Sequence, residues 1–510
     1  MTLGVRPAPV VRAVSTLGLI AELFERLHAS EIVYCHWKSN EHLDASLSGE
    51  TDLDLLFDRS GAHALARVLD GVGFKHFISL PGRGYAGIDD WIGMDAATGR
   101  LVHAHVHYQL TVGEQFLKGF RLPWESTVLA TRQWDESAGL YVADPNVELV
   151  LHAVRATLKI RRRDRLYGWF GQTYARGDTL REFRWLAQRM TPQRLMEIAA
   201  ALVGPAAMPT VLDLARARDL PLKGLLELRA RAEPPFSTYR LFSPWQAQLR
   251  RWRIELQSRA ERLSRRLIRS PWARPRMPPG GGLSIALVGG DGAGKSTIAR
   301  AVSNWMSRQA VVLSFYGGSG TGPGSFARRL LERVRALVPI KKSARTRRRR
   351  SDPAPVGRSL LRAIWRGIWA LALARERNRR ARAAYRARSR GAIVIWDRFA
   401  QTQVPGVNDG LQLAHWRNAP ARLARWAARR EYDLLSAAEI YAPDLVIKLH
   451  VSYPVALTRK PDTPPQRLRE KLDITRRLRY PSGTRVVDVD ADQPLEQVLR
   501  AVQRAIWEAL

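Results

Sequence analysis

One stretch of twenty residues, LSIALVGGDGAGKSTIARAV from Leu283 to Val302, restricts the fold of this chain more than any other. A short apolar run, a glycine-dense turn and a helix-like pattern follow one another without a gap. The turn reads Gly289, Gly290, Asp291, Gly292, Ala293, Gly294, Lys295, Ser296, Thr297 and fits G-x-x-x-x-G-K-[ST]. Glycines let the main chain wrap closely around phosphate groups, and successive N–H groups at a helix start supply partial positive charge. Lys295 is then expected to reach the β and γ phosphates of ATP, and Ser296 to place its hydroxyl on Mg²⁺. Later apolar runs at VVLSFY, AIVIWD and LVIKLHV alternate with helix-like patterns. That alternation predicts a doubly wound parallel α/β sheet over residues 283–510.

A metal beside such a loop needs a second carboxylate at the end of a neighbouring strand. Asp397, closing GAIVIWD, has that position, and Arg398 beside it is expected at the mouth of the sheet, where ligands of open α/β folds bind. DGAGKST and the triplet Asp397, Arg398, Phe399 together resemble the thymidylate kinase family and its nucleoside monophosphate kinase relatives. PDLVIKLHVSYPVALTRK resembles that family's late strand and lid start, and RVVDVDADQPLEQVLRAVQRAI its terminal strand and helix. The resemblance implies that Lys295 and Ser296 hold ATP and metal, that Asp291 approaches the acceptor's sugar, and that Arg398 grips the acceptor phosphate. It also implies a lid arginine over the transferring group, with Arg459, Arg467 and Arg469 as candidates. The chain departs from the family after the triplet, where AQTQVPGVNDG stands, and at YGGSGTGPGS, residues 316–325, so the acceptor stays open.

Nearer the N-terminus, GETDLDLLFDR sets Asp52 and Asp54 two residues apart in a strand pattern, which puts both carboxylates on one face. Paired acids of this kind can hold a divalent ion against phosphates. The stretch from HWKSN to TDLDLLFDR resembles the nucleotidyltransferase superfamily, which adds a third acid on a later strand. At the matching strand, HAHVHYQL, His105 stands at that place, with His103 and His107 on the same face. Imidazoles so spaced can ligate zinc or manganese; they can equally be polar residues of an exposed sheet face. Residues 146–270 repeat apolar side chains every three or four positions and carry no recognisable chemical motif. RSPWARPRMPPGGG then reads as a linker.

Composition limits the partners. There are 82 Lys and Arg against 47 Asp and Glu, a net charge of +35. Eighteen basic side chains and two acids fall within 341–390, a stretch expected either to touch an anionic membrane or nucleic acid, or to form a structural helix with a solvated charged face. The single cysteine, Cys35, excludes an internal disulfide and a cysteine zinc cage, which fits the cytoplasm. The first residues lack a signal-peptide layout, and the apolar run Gly367–Ala374 is far short of the roughly 20 residues that span a bilayer.

The expected organisation is an α+β nucleotidyltransferase-like domain over 1–145, a helical connector over 146–270, a linker over 271–282 and a P-loop, nucleoside monophosphate kinase-like domain over 283–510. The expected activity is ATP-dependent phosphoryl transfer to a nucleotide. The alternatives are a non-nucleotide metabolite of bacterial surface polysaccharide synthesis as acceptor, or a nucleotide-binding scaffold without catalysis.

Overall fold

The computed structural model describes residues 16–79, 84–114, 117–161, 164, 177–268, 276–318, 356–406 and 409–510. The chain forms two compact units, Met1–Pro279 and Gly280–Leu510.

In the C-terminal unit five parallel strands form one sheet: β11 (Ser284–Gly289), β12 (Val312–Tyr316), β13 (Ile393–Asp397), β14 (Leu445–His450) and β15 (Arg485–Asp490). Their order is β12-β13-β11-β14-β15, so the strand that leads into the glycine turn lies at the centre. Strands β11, β13 and β14 are buried almost throughout, which explains their unbroken Val, Ile and Leu runs. The helix Lys295–Met306 crosses from β11 to β12 and packs against the helix Leu495–Ala509. The helix Val356–Arg388 returns toward β13, and its Ala381 and Ala384 meet Ala286, Val288, Val394 and Trp396 of the sheet. Right-handed crossovers that leave the centre in both directions place helices on both faces.

Register puts the carboxyl ends of three strands side by side: Leu287 pairs with Asp397, and Tyr316 pairs with Asp397 from the other edge. Such an end, beside the first strand of a sheet whose order reverses there, is where open α/β folds bind ligands.

The N-terminal unit is built on a mixed sheet of eight strands among the described residues, in the order β10-β3-β4-β5-β2-β1-β9-β8. These are β1 (Tyr34–His36), β2 (Leu53–Phe57), β3 (Lys75–Ser79), β4 (Ile88–Met94), β5 (Leu101–His107), β8 (Gln133–Asp135), β9 (Leu140–Val142) and β10 (Arg276–Met277); β6 (Leu110–Val112) and β7 (Phe120–Leu122) form a separate ribbon. Strands β4 and β5 form an antiparallel hairpin around the turn Ala96-Ala97-Thr98-Gly99. Strand β2 is buried at all five positions, because helices cover both faces of the sheet. On one face Leu53, Leu55 and Phe57 pack with the helices Gly18–Ala29 and Ala62–Val72. On the other, Cys35, Trp37 and Leu56 share one core with Val147, Leu151, Phe183 and Leu225 of the helical stretch. The helices after residue 145 therefore close over the sheet face that carries Asp52 and Asp54, and the N-terminal compact unit runs on to Pro279.

Candidate functional site

The glycine turn follows β11 and ends at Gly294, where the helix Lys295–Met306 begins. Gly292 and Gly294 have φ of +85° and +82°, backbone that a side chain would strain. A Cβ on Gly290 would come within 2.4 Å of Leu472 Cδ2, and one on Gly292 within 3.0 Å of the Ala456 carbonyl. The turn is thus seated against the helices Tyr453–Arg459 and Pro465–Arg477, the segment expected to form a lid.

Lys295 is 5% exposed and folds its ammonium over the turn, donating to the carbonyls of Gly289 at 2.9 Å and Gly290 at 2.6 Å. Burial, with the Arg398 charge nearby, pushes its pKa down to about 8 against the pull of Asp291 and Asp397. Ser296 Oγ donates to Asp397 Oδ2 at 2.6 Å, which ties the helix start to the end of β13. The other carboxylate oxygen, Asp397 Oδ1, is buried and accepts no hydrogen bond. An uncompensated buried carboxylate oxygen beside a hydroxyl is a donor set suited to a hard divalent cation. The residues present therefore fit Mg²⁺.

Arg398 sits in the left-handed region at φ +72°, uncommon for a side-chain-bearing residue and a mark of functional sites. Its guanidinium donates to Asp291 Oδ1 at 3.1 Å and lies 3.7 Å from Asp409 Oδ2. Asp291 also pairs closely with Lys471. Burial opposes ionisation of Asp291, but Lys471 and Arg398 prevail and hold its pKa at about 2. Asp291 and Arg398, each named in the sequence, are thus ion-paired to one another, whereas Lys471 and Asp409 were not singled out in the sequence. Lys471 was hidden among many basic residues, and Asp409 follows the triplet at a distance no motif specifies.

Arg459 donates to the Gly292 carbonyl at 3.3 Å and to Ala491 O at 2.9 Å, so of the lid candidates it is tied to the turn itself. Arg469 lies over the Tyr453 ring at 4.3 Å. Arg467 is exposed on the helix Pro465–Arg477. Thr297 is exposed in the first turn of its helix.

Of the arginine-rich stretch, 341–355 lies outside the described residues, as does most of 316–325. The part that is described turns several basic groups inward. Arg377 is buried and donates to Gly317 O and Asp409 O, with its Nη2 3.3 Å from Asp409 Oδ1. Arg380 bonds Tyr316 O and Glu376, and Arg388 forms a fork to Asp444. Among the described residues, no helix is long and apolar enough to cross a membrane.

In the N-terminal unit the two acids part company. Asp52 is half exposed, and its Oδ1 lies 2.8 Å from His103 Nδ1. Asp54 is buried; its Oδ1 meets Lys38 Nζ at 2.7 Å and His105 Nδ1 at 3.0 Å. His103 reaches Asp90 of β4 at 2.8 Å with its other nitrogen. Burial lowers the His103 pKa, yet Asp52 and Asp90 outweigh it and raise the net value. Asp90, on β4 next to the strand that carries the histidines, is an acid of this cluster that the sequence did not single out.

A glycine turn on the central strand of a parallel sheet, with its lysine, hydroxyl and strand-end carboxylate brought together, defines a P-loop nucleotide-binding unit. No family model matches the chain. Over 223 residues, 44% of this chain and 86% of the relative, it is 26% identical to an Escherichia coli K12 protein called "Uncharacterized ATP-binding protein YghR". Over 245 residues, 44% of this chain and 93% of the relative, it is 29% identical to the E. coli K12 "Uncharacterized ATP-binding protein YghS". Among solved structures, a deoxyadenosine kinase from M. mycoides with bound dATP aligns with 44% of this chain and 99% of its own, at 14% identity and a TM-score of 0.26.

Proposed function

We propose that the C-terminal unit is an ATP-dependent phosphotransferase of the nucleoside monophosphate kinase type, acting on the γ-phosphoryl group of Mg-ATP. The observation that carries this reading is the Ser296–Asp397 pair at 2.6 Å with Asp397 Oδ1 left over, formed by the residue that follows Lys295. Ser296 and Asp397 would hold Mg²⁺, which would neutralise charge on the phosphates. The ATP-binding names of the two E. coli relatives support the nucleotide.

The chain's own groups then do three things. The turn amides and the Lys295 ammonium bind the phosphate tail, and Lys295 exchanges the carbonyls of Gly289 and Gly290 for phosphate oxygens. Arg398, and Arg459 from the lid side, stand where they can balance charge that builds on the transferring group. Each such preorganised donor is worth on the order of 3–4 kcal/mol in a phosphoryl-transfer transition state. The helices carrying Arg459 and Lys471 lie against the turn and keep water from it.

A second reading concerns the acceptor. Arg398 stands between Asp291 and Asp409, so part of the positive charge that an acceptor phosphate requires is already balanced. That favours an acceptor offering a hydroxyl to one of these carboxylates, such as a sugar, over a nucleoside monophosphate. A screen with γ-labelled ATP against deoxynucleoside monophosphates, nucleosides and sugars tests both. Label transfer that disappears in Lys295→Met supports phosphotransfer and names the acceptor. Transfer by Lys295→Met at the wild-type rate sinks the proposal.

A further inference from the structure

The imidazole cluster of the N-terminal unit plays no part in the reading above. Three of its atoms converge: Asp54 Oδ1, His105 Nδ1 and His107 Nε2. They are separated by 3.0 Å (Asp54–His105), 3.2 Å (His105–His107) and 3.7 Å (Asp54–His107). Ligand atoms on a tetrahedral ion with bonds of about 2.0–2.1 Å stand roughly 3.3 Å apart. The three separations bracket that value.

Hydrogen bonding alone does not account for the cluster. His105 Nδ1 contacts both Asp54 Oδ1 and His107 Nε2, yet carries at most one hydrogen. One hydrogen cannot make both contacts well-aligned hydrogen bonds, in a region where Asp54 and His107 are buried. A cation at the common centre resolves all three contacts at once. The side chains come from the adjacent parallel strands β2 and β5, with Asp54 and His105 in direct register, so the backbone fixes the spacing. Asp52 is not a member, because its carboxylate is turned to His103.

A second observation concerns the surroundings. Lys38 Nζ lies 2.7 Å from Asp54 Oδ1 and 5.3 Å from the centre of the Trp37 ring, and the Arg155 guanidinium lies 5.5 Å from the same ring. Two cations against one ring, with one carboxylate facing only the first of them, are a surplus that an anion would relieve.

We propose that Asp54, His105 and His107 bind a divalent transition-metal ion whose remaining coordination is completed by a phosphate-bearing ligand held by Lys38 and Arg155. The two-nitrogen, one-oxygen set suits Zn²⁺, Co²⁺ or Mn²⁺ better than Mg²⁺, which prefers oxygen alone. Three protein ligands leave a coordination position for the anion.

The test uses the full chain, stripped with a chelator and titrated with Co²⁺, whose strong visible bands report four-coordinate geometry and stand clear of the weak bands of a six-coordinate, all-oxygen kinase site. One equivalent should bind with tetrahedral-type absorption in the wild type and in Asp52→Asn. Affinity should fall at least ~100-fold in the near-isosteric Asp54→Asn and in His105→Asn, with circular dichroism reporting that each is folded. Pyrophosphate should shift the bands, and that shift should need at least ~10-fold more pyrophosphate in Arg155→Met. A wild-type spectrum that stays that of aqueous Co²⁺ overturns the metal site, as does an unchanged band in folded Asp54→Asn. Bands indifferent to pyrophosphate overturn the anion.

Discussion

Replacing Lys295 by methionine should make the C-terminal unit more stable while it removes function, and the structure gives the size of both effects. The ammonium is 5% exposed, and its pKa falls from 10.5 to about 8, chiefly through burial. The folded state therefore disfavours the charged form by an amount on the order of 3 kcal/mol. Methionine keeps the length and apolar stem but leaves the carbonyls of Gly289 and Gly290 without this donor, a loss of about 1 kcal/mol each. The expected net gain near pH 7 is roughly 1–2 kcal/mol. The sign with pH follows from linkage: between about 8 and 10.5 the unfolded chain binds more protons at this residue than the folded one, so wild-type stability rises with pH there. The advantage of Lys295→Met is full below pH 8 and fades as pH rises toward 10.5. Urea unfolding of both proteins at pH 7 and pH 10, beside calorimetric titration with Mg-ATP, measures the effects together. The mutant should lose at least ~100-fold in ATP affinity or turnover. A mutant that is less stable at pH 7, with an offset that does not change with pH, refutes the argument that this lysine is held at a cost to the fold.

Four further outcomes follow from the same geometry. Ser296→Ala and Asp397→Asn should each lower label transfer at least ~100-fold, and the double mutant hardly more than either alone, because the pair acts as one unit; additive losses in a double-mutant cycle would contradict this. Arg377→Met should cost about 2–3 kcal/mol in denaturant melts by leaving the buried Asp409 carboxylate with Arg398 as its one remaining ion-pair partner among the described residues, and Arg377→Met with Asp409→Asn should recover part of it. Gly282→Ala should destabilise by at least ~2 kcal/mol, since the new Cβ would lie 2.2 Å and 2.4 Å from the backbone carbonyls of Arg388 and Ala392, which cannot swing aside. In the N-terminal unit, burial and the neighbouring Glu182 raise the Glu148 pKa to about 8, so its contribution is present below about 4.5 and lost as pH rises through 8. Glu148→Gln should flatten that part of the stability–pH curve, read from melting temperatures between pH 4.5 and 8.5.

The C-terminal unit was legible because its chemistry is local. Gly289 to Ser296 are contiguous, and β11 and β13 are apolar runs that end where the acids stand, so Lys295, Ser296 and Asp397 could be named from order alone. The Asp291–Arg398 pair joins residues 107 positions apart; the family resemblance named each residue, but only the fold shows them paired. Lys471, 180 positions from Asp291, belongs to a helix whose basic residues look alike in sequence, and only packing singles it out. In the N-terminal unit the strand pattern located Asp54 and the three histidines. It could not show that Asp52 and Asp54 face different imidazoles, because that division depends on which cross-strand neighbour each meets. Nor could it find Asp90, which answers His103 across the hairpin. The short strands β8 and β9 were missed because three-residue segments carry too little periodicity to read.

The arginine excess acquires a different meaning once its positions are known. Read as composition, +35 is a field that attracts polyanions. Within the helix Val356–Arg388, however, Arg377, Arg380 and Arg388 reach Asp409, Glu376 and Asp444, and two of them also fasten the carbonyls at Tyr316 and Gly317. Those carbonyls flank the end of β12, next to Asp397 in the sheet, and a Cβ on Gly317 would lie 2.3 Å from the Arg398 carbonyl. These inward arginines therefore brace the backbone that holds Arg398 in its left-handed conformation. Lysine could not replace them, since each makes several directed bonds from one planar fork. Arg377→Lys should keep the charge yet lower label transfer about tenfold or more through misplacement of Arg398, with Mg-ATP affinity near that of the wild type. Unchanged transfer in a folded Arg377→Lys would show that charge, and not the fork, is what this position supplies.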